Sequence, residues 1–174
     1  VMALSGGMDS TALLLRLLAS GAKVSCISYQ YGQKHSVELE RAKLNVAYLS
    51  SKGADVDHVI VDLTGAMELF DSALIDDQKV IPEGHYEEEQ MKATVVPNRN
   101  AIFASILYGH ALSISSKEGV DVAIALGVHS GDHEIYPDCR PEFYSALEHA
   151  FQIGNWDSER VQFELPYLDG DKVT

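Results

Sequence analysis

Ser5-Gly6-Gly7-Met8-Asp9-Ser10 lies between a short apolar run, Val1 to Leu4, and a segment whose Leu13, Leu14, Leu17 and Leu18 recur at helical spacing. A strand that turns through two glycines straight into a helix is a strand-to-helix junction. The first N–H groups of such a helix point outward, and its positive dipole end adds to them. Adjacent glycines let the backbone take positive φ and come close to a ligand, while Ser5, Ser10 and Thr11 offer hydroxyl donors. The hexapeptide therefore predicts a phosphate cradle at the end of the first strand. Neither GxxxxGK[ST] nor GxGxxG occurs, which argues against transfer of a terminal phosphoryl group and against a dinucleotide site.

Outward from the loop, strand-like runs alternate with helical ones. Gly21 stops the first helix, expected over Ser10 to Ser20; Val24 to Ser28 reads as a second strand. Leu39, Ala42, Val46 and Leu49 give a second helix ending near Gly53, and Val56 to Val61 a third strand. From Asp62 to Val96 periodicity is lost, so 62–96 is expected to be an irregular insert, either a solvated loop or a functional one. A helix from Asn100 places Phe103, Ile106, Leu107, His110, Ala111 and Ile114 on one face. Val120 to Leu126 is a fourth strand, Gly127 to Arg140 a polar loop, Glu142 to Gln152 a helix and Val161 to Leu165 a last strand. This alternation predicts an α/β fold with an open parallel sheet and helices on both faces.

The 174 residues are 46% hydrophobic, and 26 acidic against 13 basic residues give a net charge of −13. That balance disfavours direct nucleic-acid binding, which needs a positive footprint. No apolar run approaches the ~20 residues of a membrane span. Two cysteines, Cys26 and Cys139, form neither a disulfide framework nor a CxxC pair, and predict reduced thiols in the cytoplasm.

SGGxDS after a strand resembles the pyrophosphate (PP) loop of the ATP pyrophosphatases. Four further segments narrow the match: Tyr29-Gln30-Tyr31-Gly32-Gln33-Lys34-His35, Pro82-Glu83-Gly84-His85-Tyr86, Val95-Val96-Pro97-Asn98-Arg99-Asn100, and Gly127 to His133 with Tyr136-Pro137-Asp138-Cys139-Arg140-Pro141-Glu142-Phe143. With the loop, these resemble the 7-cyano-7-deazaguanine synthases, from Val1 to about Phe163. The resemblance implies a Rossmann-like PP-loop fold of the adenine nucleotide alpha hydrolase type, as one domain over 1–174 truncated at both ends. It implies an ATP-dependent ligase that adenylates 7-carboxy-7-deazaguanine, lets ammonia displace AMP, and dehydrates the amide to the nitrile after a second activation. Mg²⁺ and a homodimer are implied as well. So is the family's structural zinc, whose cysteine ligands are absent from these residues.

On that resemblance, Leu4, Ser5, Gly6, Gly7, Met8, Asp9, Ser10 and Thr11 hold pyrophosphate, with Asp9 on Mg²⁺, while Ser28 and Tyr29 border adenine. Lys34 neutralises phosphate charge and Arg99 grips phosphate or the substrate carboxylate. Asn98, Asn100, Asp132, Tyr136, Asp138 and Arg140 meet the substrate, and His133 moves a proton as ammonia attacks. Each has an ordinary reading beside it. Asp9, Asn98 and Asn100 could be helix caps, Lys34 a solvated cation, Arg99 a helix-start residue paired with the acidic insert, and Cys139 a small buried thiol. Two other functions share the loop: a tRNA-thiolating enzyme, which needs reactive cysteine pairs, and a non-enzymatic ATP-binding module.

Overall fold

The computed structural model describes residues 1–33, 37–70, 95–128 and 136–168. In chain order the elements are β1 (Met2–Ala3), α1 (Met8–Ala19), β2 (Val24–Gln30), α2 (Val37–Ser51), β3 (Val56–Asp62), α3 (Thr64–Met67), α4 (Arg99–Glu118), β4 (Val122–Ala125), α5 (Pro141–Gly154) and β5 (Val161–Glu164). Single 3-10 turns, Pro137–Cys139 and Ser158–Arg160, precede α5 and β5. The five strands form one sheet in the order β3-β2-β1-β4-β5, every pair parallel.

Strand alternation sorts the core into two layers, because successive side chains point to opposite faces. Met2, Leu4, Val24, Cys26, Val56 and Ala125 pack with Leu13 and Leu14 of α1 and Ala42 and Val46 of α2. Ile27, Tyr29, Ile124, Leu126 and Val161 face the other way, onto Leu107, Tyr108 and Ala111 of α4 and Tyr144 of α5. Helices therefore cover both faces of the sheet, as the alternation of patterns predicts. No helix among the described residues is long and apolar enough to cross a membrane.

Several boundaries move from their expected places. β1 has only two residues, yet hydrogen bonds from Leu4 N to Ile27 O (2.9 Å) and from Ala125 N to Val1 O (2.9 Å) continue its ladder on both sides. β2 runs two residues further than expected because its register with β3 is unbroken from Val24↔Val56 to Gln30↔Asp62. Ser28 and Tyr29 thus lie inside the strand. β4 starts two residues late: Val120 is exposed and its carbonyl accepts the Ser115 hydroxyl (2.7 Å), closing the end of α4 around Gly119. The stripe α4 buries is Ala104, Leu107, Tyr108, Ala111 and Ser115, rotated from the expected face; His110 instead reaches Ser25 (3.0 Å). Of the segment expected to be irregular, Asp62 closes β3 and Thr64–Met67 is a helical turn that buries Met67. Residues 71–94 lie outside the described residues, and with them Pro82 to Glu89.

Cys26 is fully buried, and burial pushes its thiol from an ordinary 9.0 up to about 12. A raised folded-state value means that this thiol contributes stability below the unfolded value and loses it as pH rises. Above pH 9.0 the unfolded chain releases the proton and the native chain does not. The thermal midpoint should therefore fall as pH rises beyond that value, at the cost of about 1.4 kcal/mol per pH unit. Cys26→Ala should flatten this alkaline slope; an unchanged slope in the variant contradicts the assignment.

Candidate active site

The sheet order changes direction at β1, whose neighbours are β2 on one side and β4 on the other. Ligands in open α/β sheets sit in the crevice at such a switch point, outside the strands' carboxyl ends. A cavity of about 520 Å³ opens there. One wall comes from the β1–α1 loop and the end of β2, with Ser5, Gly7, Met8, Asp9, Ser10, Tyr29, Tyr31 and Gln33. The other comes from β4 and the helices packed on it, with Leu126, Gly127, Val128, Arg99, Asn100, Phe103 and Tyr144.

The loop is built around Gly6. Its φ is +87°, and a Cβ there would collide with the backbone carbonyl of Glu38, with Ala42 N also at 3.0 Å. Only a glycine lets the loop lie against the first turn of α2. Gly7 is the N-cap of α1 in extended conformation and supplies no side-chain cap, so Asp9 is a first-turn residue and its reading as a cap is corrected. The N–H groups of that uncapped first turn face the crevice end of the helix. The loop's hydroxyls bond within it. Ser5 Oγ accepts from Gly7 N (3.1 Å) and meets Ser10 Oγ (3.0 Å), while Ser10 Oγ and Thr11 Oγ1 both donate to Gly7 O (3.2 and 2.8 Å). They hold the cradle's shape, and Asn45 of α2 ties Thr11 from outside (3.4 Å).

The β2 end carries an aromatic wall. Tyr29 stacks on Phe103 with ring centres 4.0 Å apart and an angle of 6°, and its hydroxyl donates to Phe103 O (2.9 Å). Phe103 in turn meets Tyr31 at 5.5 Å. Gln33 fixes the turn by accepting from Tyr31 N (2.8 Å) and donating to Tyr29 O (3.0 Å). Ser28, by contrast, does not reach the cavity. It is fully buried, donates to Leu4 O and meets His58 Nε2 at 2.7 Å, because its position in β2 aims it at the α1–α2 layer.

Arg99 is the one cation among the described residues lining the cavity. Its guanidinium lies 5.9 Å from the Tyr31 ring centre, with NH1 at 3.5 Å from the Tyr31 hydroxyl and Nε at 3.4 Å from Asn100 Oδ1. Asn98 is the N-cap of α4 in the left-handed region (φ 59°), without a side-chain capping bond. Asn100 lies inside the helix, so neither asparagine caps through its side chain. Tyr136, Asp138 and Arg140 are on or beside the 3-10 turn before α5 and are absent from the cavity wall; Arg140's carbonyl accepts from Phe143 N and Tyr144 N. Cys139 is half-buried rather than enclosed. Lys34, Asp132 and His133 lie outside the described residues.

Three participants went unread in the sequence. Glu38 lines the cavity, as Asp9 does, because Gly6 draws the start of α2 onto the loop. Phe103 follows Arg99 by one helical turn, a spacing that could have revealed it. Tyr144 follows the quoted motif by one residue. It is 3% exposed, yet reaches the cavity from α5. Burial, with Cys139 and Asp138 nearby, pushes its hydroxyl well above the usual tyrosine range, and Arg99 pulls the other way.

No group of three or more His, Cys, Asp and Glu side chains comes together among the described residues. Asp9 and Glu38 nevertheless fit a Mg²⁺ carried on polyphosphate, since that ion keeps several waters and takes only one or two carboxylates beside the phosphates. The cysteines do not fit a structural zinc, which takes four ligands: Cys26 is shut in the core and Cys139 sits on the 3-10 turn.

The family model of queuosine biosynthesis protein QueC matches residues 1–174. A 7-cyano-7-deazaguanine synthase from Hahella chejuensis is 43% identical over 169 residues, covering 97% of this chain and 68% of that protein. Its namesake from Caldicellulosiruptor bescii is 43% identical over 172 residues, 99% of this chain and 72% of that protein. The one from Methanoregula boonei is also 43% identical, over 97% and 72% respectively. Among solved structures, one described as a predicted subunit of tRNA methyltransferase from Methanocaldococcus jannaschii superposes with a TM-score of 0.53 at 18% identity, over 99% of this chain and 70% of that one. That likeness concerns the fold alone.

Gly6→Ala should cost roughly 3 kcal/mol or more, since it adds a left-handed alanine to a backbone collision. Gly127→Ala is the control: its Cβ would meet Asp9 C, Asp9 O and Ser10 N at 3.5–3.6 Å, ordinary contact. Denaturant melts of both variants check this, and equal losses contradict the packing described.

Proposed function

The chain belongs to the QueC family of queuosine biosynthesis proteins and carries the ligase activity for which its relatives are named, and from that premise we propose how its residues divide the work. ATP lies across the switch point. Its β- and γ-phosphates rest on the first-turn N–H groups of α1, where the helix dipole favours negative charge. Asp9 and Glu38 would hold a Mg²⁺ accompanying the nucleotide, which would supply charge neutralisation for the pyrophosphate leaving group. The adenine sits by Tyr29, against the aromatic wall. The α-phosphate then points toward β4, where Arg99 holds the carboxylate of 7-carboxy-7-deazaguanine. A carboxylate oxygen attacks that phosphate, pyrophosphate leaves, and the acid becomes an acyl adenylate. Ammonia displaces AMP, and a second activation of the amide oxygen leads to the nitrile. The protein's part is positioning and charge stabilisation.

The observation that carries this reading is the uncapped start of α1 opening onto the same cavity as Arg99. Phosphate donors and the one cation among the described lining residues face one space, as attack of a carboxylate on a phosphate requires. Asp138, Tyr136 and Arg140 are assigned to the substrate from the neighbouring turn, with Asn98, Asp132, Lys34 and His133 in supporting roles on the family resemblance. Reduced thiols support work in the cytoplasm, and the homodimer rests on the same resemblance. The thiolase alternative gains no support from the thiols, because Cys26 is shut away from the cavity.

With ATP, ammonia and 7-carboxy-7-deazaguanine the protein should release AMP and pyrophosphate and form the nitrile. ATP consumed without nitrile contradicts the reading. Asp9→Ala should lower turnover at least about 100-fold, equivalent to about 2.7 kcal/mol of barrier, with the thermal midpoint kept. Equal activity in the variant refutes the magnesium role.

A further inference from the structure

Tyr144 brings to the described cavity a neutral donor that the reaction as outlined leaves unused. Tyr144 is the only residue of α5 in its wall. The ring is fixed edgewise by Phe143, with centres 5.1 Å apart at 82°, and by Phe163, at 5.9 Å and 62°. Such packing leaves the hydroxyl little freedom. Buried tyrosine hydroxyls ordinarily find a partner, yet no hydrogen bond from this one is made to any described residue, while Tyr29 and Tyr108 donate to the carbonyls of Phe103 and Ser158. An oriented donor without an acceptor among the described residues, on a cavity wall, is arranged for a ligand acceptor. Arg99 lines the same cavity, so a group held by Arg99 shares the space that this hydroxyl borders.

We propose that the Tyr144 hydroxyl hydrogen-bonds the acyl oxygen of the carboxylic substrate beside Arg99 and stabilises the negative charge that grows there as ammonia adds. The inference rests on the ligase reading. As the N–C bond forms, the C=O π pair moves onto that oxygen. The pair returns as the C–O bond to AMP breaks, and the surplus proton on nitrogen passes to water. A donor that strengthens its bond only while charge is on the oxygen acts on the transition state more than on binding. Burial keeps the phenol protonated through neutral pH, so it donates and brings no negative charge to the crevice.

The test compares the full chain with Tyr144→Phe, which keeps the ring and removes one oxygen that bonds to none of the described residues. Nitrile formation is followed at saturating ATP and ammonia, with calorimetric titration of ATP and of 7-carboxy-7-deazaguanine. The expected result is a fall in kcat of about 100-fold, with ATP affinity within about twofold and the thermal midpoint unchanged. A kcat within about threefold of the parent overturns the proposal. So does a fall in kcat matched by lost ATP affinity or lost folding, since that makes the hydroxyl structural. A parent that binds ATP and forms no nitrile overturns the ligase reading and this inference with it; an active parent with an unaffected variant overturns Tyr144 alone.

Discussion

The carboxyl edge of the sheet depends on one close approach, that of the Gly6 backbone to the first turn of α2. A single added carbon at Gly6 meets the Glu38 carbonyl. Because that gap is closed, the β1–α1 loop can move no nearer to α2, and the start of α1 lies where the crevice begins. The hydroxyls of Ser5, Ser10 and Thr11 then converge on the Gly7 peptide, two of them on its carbonyl. They lock the loop from within, which leaves the first-turn N–H groups to face a ligand. The same approach brings Glu38 into the cavity that Asp9 also lines, so one packing contact sets both the phosphate cradle and its second carboxylate.

Across the crevice, the second wall is built from α4, β4 and α5. The switch in strand order at β1 separates the two walls and gives each a different chemistry. On the phosphate side lie N–H groups and two carboxylates. On the other lie Arg99, Asn100 and Tyr144, with the Tyr29–Phe103–Tyr31 rings bridging between the walls. A chain of net charge −13 thus keeps a local place for anions through backbone dipoles and one guanidinium. Net charge alone speaks only against a phosphate-backbone partner.

The fold was legible because its cues are local. Two glycines at a strand-to-helix junction, helical spacing of leucines and β-branched runs each depend on near neighbours in sequence. Strand ends were less legible: Ser28 and Tyr29 belong to β2 only because β3 offers seven consecutive partners, a property of the pair. For the site, Asp9, Arg99 and the SGG loop were readable from motif and resemblance, whereas their surroundings were not. Glu38 enters through a packing contact between non-adjacent elements, and Tyr144 through the placement of α5 against the far end of the sheet. The motif around Asp138 and Arg140 was visible as sequence, but its position on a 3-10 turn that does not line the cavity is a three-dimensional fact. Hydroxyls in a phosphate loop invite a reading as ligand donors; here their hydrogen bonds run inward.

The central claim is that the substrate's own oxygen attacks the α-phosphate while the loop holds the leaving pyrophosphate. Isotope transfer tests it most directly. With the carboxylate of 7-carboxy-7-deazaguanine labelled with heavy oxygen, the label should be recovered in AMP, and pyrophosphate should remain unlabelled. Label found in orthophosphate, with ADP as the nucleotide product, would mean that the terminal phosphoryl group is transferred and would contradict the account.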